Sequence, residues 1–533
     1  MNNPVIPGFN PDPSICRCGD TYYCATSSFQ WFPGVPIYRS TDLRHWRLYS
    51  YGLQDAEAVP LVRIQDSAGV WAPSLTYADG LFWLVFPVAN GGRLHVYECD
   101  NYLSTAPDPA GPWSAPVYLH SLGNDPCLFH DTDGRKYVAS TLQAFCPDDL
   151  RHLGIAVQEY SVAERRLVGP RRLVFEGVKG VPEGAKMYRR NDWYYLMIAE
   201  GGTGYEHQVT MARSRSVWGP YTVHPDNPIL TASGTDNPIQ RAGHGDMVRV
   251  DDRAWAFVYL ASRPVGHYSI LGRETFIARG EWGADDWFRL DSRAPLTEVP
   301  DFGPATSDSG TGFQEARDEF DAPEPGLCWN SPRLPLGDRI DLRTRPSWLG
   351  LRGTPSCFHS LNRPTLLAQR VRHLSFRAET LMDFRPQQPG QWAGLICYYD
   401  TRRFFACCRL LDSRGRDTVT VLGRYGVTYG FDLATGVPLE TNSSLVRLVV
   451  VGDGLRFRFG CATPGENEAI RWIDAEAECR FLSDEYAEET EPPDPIPTFG
   501  FTGTMVGLGC FDATGTADTA YFDYFDYQGD QDG

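Results

Sequence analysis

One rhythm constrains what this chain can fold into. A turn residue leading into an aromatic-rich strand recurs five times: Asp20 before Thr21-Tyr22-Tyr23, Asp79-Gly80 before Leu81-Phe82-Trp83-Leu84, Asp133-Gly134 before Arg135-Lys136-Tyr137-Val138, Asn191-Asp192 before Trp193-Tyr194-Tyr195-Leu196, and Asp252-Arg253 before Ala254-Trp255-Ala256-Phe257. The intervals between the turn residues are 59, 54, 58 and 61 residues. Each beat reads as a hairpin turn entering a β-strand. Each unit has room for four short strands, and no long helical periodicity interrupts them. Five such units specify a five-bladed β-propeller rather than an array of sandwiches.

The rhythm fades after Trp287, and the stretch around Ala294 to Arg317 is rich in Pro, Gly, Ser and Thr. Beyond it the pattern is still β, with a different period: Leu374 to Phe384, Trp392 to Tyr399, Thr418 to Leu422 and Leu445 to Val451 alternate, and the tail Thr519 to Tyr527 reads as a closing strand. The expectation is an all-β chain: a five-bladed propeller over 1–300, a linker over 301–317 and a C-terminal β-sandwich over 318–533.

Composition narrows the partners. A net charge of −18 argues against nucleic acid or an anionic membrane. No run approaches the roughly 20 apolar residues of a membrane helix. The 14 cysteines contain no Cys-x-x-Cys pair, which disfavours a zinc ribbon or thioredoxin-type chemistry and leaves buried free thiols as the reading. No signal peptide is read at the N-terminus, so the expected setting is the cytoplasm, or secretion with the leader absent. A small oligosaccharide is the expected partner, and self-association into a homo-oligomer is left open.

The chemistry sits at one phase of the repeat. Eight residues before each turn residue stand Asp12, Trp71, Asp125, Glu183 and His244. In a propeller, equivalent positions of the innermost strands meet around the axis. Singly, Asp12-Pro13, Asp125-Pro126 and Glu183-Gly184 are ordinary turn dipeptides. Together they place three carboxyls on one axis, where like charges raise one another's pKa. Glycoside hydrolysis uses that arrangement: one ionised carboxylate activates water and one protonated carboxyl serves the leaving oxygen. Trp71 offers a face for a sugar ring. His244 reads equally as an axial ligand or as a core histidine.

At these positions the chain resembles glycoside hydrolase family 43, in its β-xylosidase-like branch with a C-terminal β-sandwich. Asn3 to Ser14 resembles the family's opening, Ser28 to Ile37 its β-xylosidase branch, and Trp71-Ala72-Pro73, Asn124-Asp125-Pro126, Pro182-Glu183-Gly184, Gly243-His244-Gly245-Asp246 and Leu271 to Thr275 its remaining motifs in order. The resemblance implies an inverting, exo-acting hydrolase with Asp12 as general base, Asp125 as pKa modulator and orienter, and Glu183 as general acid. It further implies that Arg273 binds the terminal sugar, that Phe32 and Trp71 wall the first subsite, and that a sandwich loop from Phe501 to Met505 closes the pocket, with Met505 at the substrate. No cofactor is implied for catalysis; some members hold a structural calcium ion on the axis, here beside His244. Two departures stand out: Ala185-Lys186 follows Glu183-Gly184 where many relatives have Pro-His, and relatives often carry an aromatic near Met505. Release of β-D-xylose from xylo-oligosaccharide ends is the first reading, an α-L-arabinofuranosidase or bifunctional enzyme the second, and a non-catalytic carbohydrate-binding propeller the remote third.

Overall fold

The computed structural model describes residues 2–93, 96–146, 149–303, 317–425, 432–439, 443–465, 467–489 and 499–530. Most of the segment expected to be a linker therefore lies outside the described residues. Five sheets follow one another along the first part of the chain. Their innermost strands are Ser14–Cys18, Ser74–Ala78, Cys127–His130, Glu183–Arg190 and Gln240–Arg249. Each is joined through one of the five turn residues to the second strand of its sheet: Thr21–Ala25, Leu81–Arg93, Lys136–Cys146, Trp193–Glu200 and Ala254–Ser262. The architecture is the five-bladed propeller that the repeat specifies.

Two devices hold the ring together. The N-terminal segment lies against blade 5: Ile6 bridges Thr275, while the Asn3 side chain donates to the Ile277 carbonyl and accepts from the Ile277 N–H, both at 3.0 Å. On the axis, buried Asp246 of blade 5 accepts from Ser14 Oγ (2.8 Å) and Ile15 N–H (3.0 Å) of blade 1 and from Tyr188 Oη (2.6 Å) of blade 4. Ser14 Oγ in turn accepts from the Leu75 N–H of blade 2 at 3.0 Å. A buried carboxylate with this many donors is satisfied rather than exposed to attack.

The C-terminal part is a two-sheet sandwich of seven and eight strands. The alternating runs appear as Ser375–Asp383, Gln391–Asp400, Asp417–Arg424 and Leu445–Asp453. The tail differs from expectation: instead of one closing strand it forms two, Thr519–Phe522 and Asp526–Gly529, both pairing with Ser375–Asp383. The bend between them carries the Tyr524 carbonyl, which accepts from Thr380 Oγ1 at 2.6 Å.

The two parts share a core. Phe9, Phe29 and Trp31 of the propeller pack with Phe358, Leu366, Trp392, Tyr398 and Met505 of the sandwich. Ser331–Pro332 pairs with Trp31–Phe32 in a separate two-stranded sheet that joins the two parts. Arg241 reaches from blade 5 to Asp484 (2.9 Å) and Glu485 (3.0 Å) on the short helix Asp484–Glu489, and Glu485 also accepts from Ser269. Removing one partner of such a buried ionic cluster leaves an uncompensated charge, so it fixes the sandwich firmly against the propeller. No helix among the described residues is long and apolar enough to cross a membrane, and the thirteen cysteines whose side chains are described are all free.

Candidate active site

At one end of the axis, Asp12, Phe29, Trp71, Ala72, Asn124, Asp125, Glu183, Thr203, His207, His244, Arg273 and Phe501 line one small cavity of about 50 Å³. All five residues picked out by their phase in the repeat meet here. The backbone shows how. Asp12 (φ 56°), Asp125 (φ 53°) and His244 (φ 40°) adopt the left-handed region, which costs a non-glycine residue energy and persists where surrounding structure enforces it. In blade 4 the left-handed residue is Gly184 (φ 59°), just after Glu183. A Cβ there would lie 2.9 Å from the His244 ring, so glycine is required for a second reason.

The three carboxyls occupy different environments. Asp12 accepts from Ser27 Oγ at 2.5 Å and lies 3.3 Å from Arg273 Nη1 and 3.6 Å from His244 Nδ1. Burial alone would raise its pKa, but Arg273, His244 and the Ser27 hydroxyl together hold it below the usual carboxylate range. Asp125 accepts from the Gly184 N–H at 3.0 Å. Burial, then the Asp12 charge, push Asp125 up; burial, then the Asp125 and Asp12 charges, push Glu183 up. Asp12 is thus ionised, while Asp125 and Glu183 form a pair that retains a proton where ordinary carboxyls have lost theirs. The loop before Glu183 is anchored by buried Glu200, which accepts from the Val178 (2.5 Å) and Lys179 (3.0 Å) N–H groups.

Arg273, only 2% exposed, donates Nη2 to the Phe501 carbonyl at 3.1 Å, and its guanidinium lies 5.4 Å from the Phe501 ring centre. Its Nε has no partner among the described residues, leaving a donor unspent beside the cavity. Trp71 is fixed by Nε1 donating to the Ser67 carbonyl at 2.9 Å and meets Phe501 edge-on at 5.6 Å. Phe501 stacks on Phe499 at 4.8 Å.

Two expected wall residues are elsewhere. Phe32 is not in the cavity lining; it sits in the two-residue strand paired with Ser331–Pro332, and Phe29 takes the wall position. The reversal comes from Phe29 itself, whose φ of 50° turns the chain out of strand alternation. Met505 is likewise absent from the lining: it is fully buried at the start of strand Met505–Asp512, and Phe501 is the residue of that loop at the cavity. Sequence reading missed Phe29, Asn124, Thr203 and His207 as lining residues. His207 lies on a loop outside the phase-matched positions. Its ring packs so closely on Gly243 that a Cβ there would come within 1.9 Å.

The donors present do not fit the axial calcium ion. Calcium takes six to eight oxygen ligands. His244 and His207 offer nitrogen, Asp12 is already bonded to Ser27 and Arg273, and among the described residues no cluster of three or more His, Cys, Asp or Glu is placed to hold a metal ion. Burial pushes the His244 pKa down to about 4 and that of His207 to about 3, so both rings are neutral polar walls of the cavity.

With this geometry in place, comparison with known proteins is decisive. The profile of glycosyl hydrolases family 43 matches residues 1–288, and that of the beta xylosidase C-terminal Concanavalin A-like domain matches residues 317–528. The chain belongs to glycosyl hydrolase family 43. Among its relatives, Xylosidase/arabinosidase 43B of Humicola insolens is 38% identical, over 99% of this chain and 97% of that protein. The Beta-xylosidase of Bacillus subtilis (strain 168) is 36% identical over 99% of both chains. The crystal structure of xylan beta-1,4-xylosidase from Bacillus halodurans C-125 superposes with a TM-score of 0.92 at 35% identity, covering 99% of this chain and 100% of that one. The family 43 likeness therefore spans propeller and sandwich together.

Proposed function

We propose that this family 43 protein is an inverting, exo-acting hydrolase releasing β-D-xylose from the non-reducing ends of xylo-oligosaccharides. The observation that carries the reading is the split among the three carboxyls of one small cavity: Asp12 held down, Asp125 and Glu183 pushed up. In this mechanism Asp12 takes a proton from water as the water oxygen bonds to the anomeric carbon. Glu183 gives its proton to the leaving oxygen as the glycosidic bond breaks. Water ends with its oxygen on the sugar, one proton on Asp12 and none on Glu183, and solvent exchange resets both. Asp125 touches neither transferred proton; it accepts from the Gly184 N–H and keeps the neighbouring Glu183 protonated. Arg273 is the hydrogen-bond donor to the terminal sugar, against which Trp71, Phe29 and Phe501 provide the apolar wall.

Exo action follows from closure. The sandwich's Phe501 packs against the propeller's Phe29 and Trp71 to build one aromatic wall of the cavity, which suits one terminal sugar rather than the interior of a polymer. The name of the Humicola insolens relative pairs two activities, and favours α-L-arabinofuranoside cleavage as a second activity at this site. Proton NMR of the first-formed sugar from xylo-oligosaccharides, run beside aryl α-L-arabinofuranosides, tests both points. Inverted xylose is expected; a retained anomer overturns the mechanism, and arabinose release without xylose release overturns the substrate.

A further inference from the structure

Behind the catalytic carboxyls, Lys186 is 5% exposed, and its one hydrogen bond among the described residues is Nζ donating to the Pro73 carbonyl at 3.4 Å. An ammonium held in the protein interior by so little is costly unless its charge is used. Its placement is specific. The register of Glu183–Arg190 slips between Glu183, opposite Ala199, and Lys186, opposite Met197, so the strand carries a bulge there. Bulges re-aim side chains beside active sites. Here the bulge leaves Glu183 in the active-site cavity and Lys186 in the lining of a second, larger one, about 710 Å³, with Tyr188 and Asp246. Between them, Gly184 N–H donates to Asp125, and Pro73 directly follows the cavity residues Trp71 and Ala72.

The neighbours leave the Lys186 charge to act on Asp125. Cys24 of blade 1 and Cys127 of blade 3 face it as thiols that burial pushes up, and His244 of blade 5 is neutral. Asp246 takes its hydrogen bonds from Ser14, Ile15, Tyr188 and its neighbour Met247. Asp125 is faced by Asp12 of blade 1, by Glu183, Lys186 and the Gly184 N–H of blade 4, by the Asn124 side chain and by the Cys99 thiol of blade 2; burial and the Asp12 charge oppose its ionisation, while Asn124, the Gly184 N–H and the Lys186 charge favour it. Arg273, the other buried cation of the site, lies against Asp12 and the Phe501 carbonyl, and its charge acts on Asp12 and on Glu183.

We propose that Lys186 is a positioning residue of the catalytic pair: its buried ammonium keeps Asp125 ionised from behind, so that the one retained proton resides on Glu183. The proposal rests on the acid–base roles given above. The experiment measures kcat/KM against pH on an aryl β-D-xyloside for the protein, for Lys186→Met, for Lys186→Gln, for Asp125→Asn and for the Lys186→Met/Asp125→Asn double variant, with the thermal midpoint of each. Loss of the cation makes Asp125 harder to ionise, so the acid limb of both Lys186 variants should move to higher pH by about one unit. The midpoint of Lys186→Met should not fall, because an apolar side chain of similar length replaces a buried charge. In the Asp125→Asn background the same Lys186 substitution should no longer move the limb. An acid limb that stays in place, or that moves equally with and without Asp125, overturns the proposal, as does failure of both single Lys186 variants to fold. Failure of the underlying acid–base reading looks different: Asp125→Asn by itself would then leave both limbs of the profile in place.

Discussion

The propeller and the sandwich contribute unequally to the same cavity. Every ionisable side chain lining it, Asp12, Asp125, Glu183, His207, His244 and Arg273, comes from the propeller, while the sandwich supplies the Phe501 ring and, through the Phe501 carbonyl, an anchor for Arg273. Yet the sandwich is held by a buried ionic cluster around Arg241 and by a shared apolar core. The contrast separates two tasks. Convergence of equivalent strand ends around an axis assembles the acid–base chemistry. Closure of an open funnel needs a wall that the ring of blades cannot build from its own repeat.

The largest effects should come from the propeller's acid–base groups. Asp12→Ala removes the group that takes the water proton, and turnover of every glycoside should fall by about 10²–10⁴-fold whatever the leaving group. Glu183→Ala should cost as much on xylo-oligosaccharides but little on an aryl xyloside whose phenolate leaves unprotonated. Steady-state kinetics on the two substrate classes check this; equal losses on both would remove the distinction between base and acid.

A smaller effect sharpens the electrostatics within the propeller. Burial first, and then the Asp125 charge, hold the Glu183 proton in place. Asp125→Asn removes the charge at nearly constant shape, so Glu183 should lose its proton more readily. The alkaline limb of the pH–rate profile should therefore move to lower pH, along with a reduced maximal rate. A limb that stays in place would assign Glu183's raised pKa to burial alone.

The same contrast explains what could be read without coordinates. Blade starts were legible because each blade repeats one hairpin, and a regular inner strand carries the phase eight residues back from Asp20, Asp79, Asp133, Asn191 and Asp252 to the axis. Phe29 was not, because its left-handed backbone breaks the alternation on which side-chain direction is read, and because Phe32 is claimed by a partner, Ser331–Pro332, that lies far away in sequence. Phe501 and Met505 were only four residues apart on a loop without period, so nothing in the sequence said where the strand Met505–Asp512 begins. His207 had no signal at all: its place is set by packing on Gly243, a contact between blades 4 and 5. Regular backbone transmits position along the sequence, whereas irregular backbone takes its position from distant contacts.

The finest test of the comparison lies within that sandwich loop. Phe501 stands at the cavity against Trp71 and Arg273, whereas Met505 is fully buried with Phe29, Trp31 and Tyr398. Phe501→Ala should open the wall and free Arg273 from its aromatic neighbour, raising KM for a disaccharide several-fold while the thermal midpoint changes little. Met505→Ala should do the reverse: a cavity in the shared core costs about 2–5 kcal/mol of stability, with KM nearly unchanged at temperatures where the protein remains folded. Thermal unfolding beside Michaelis kinetics for the two variants distinguishes wall from core. If Met505→Ala raises KM as much as Phe501→Ala does, the loop acts as one unit, and the sandwich shapes the substrate site through its packing as well as through the ring it presents.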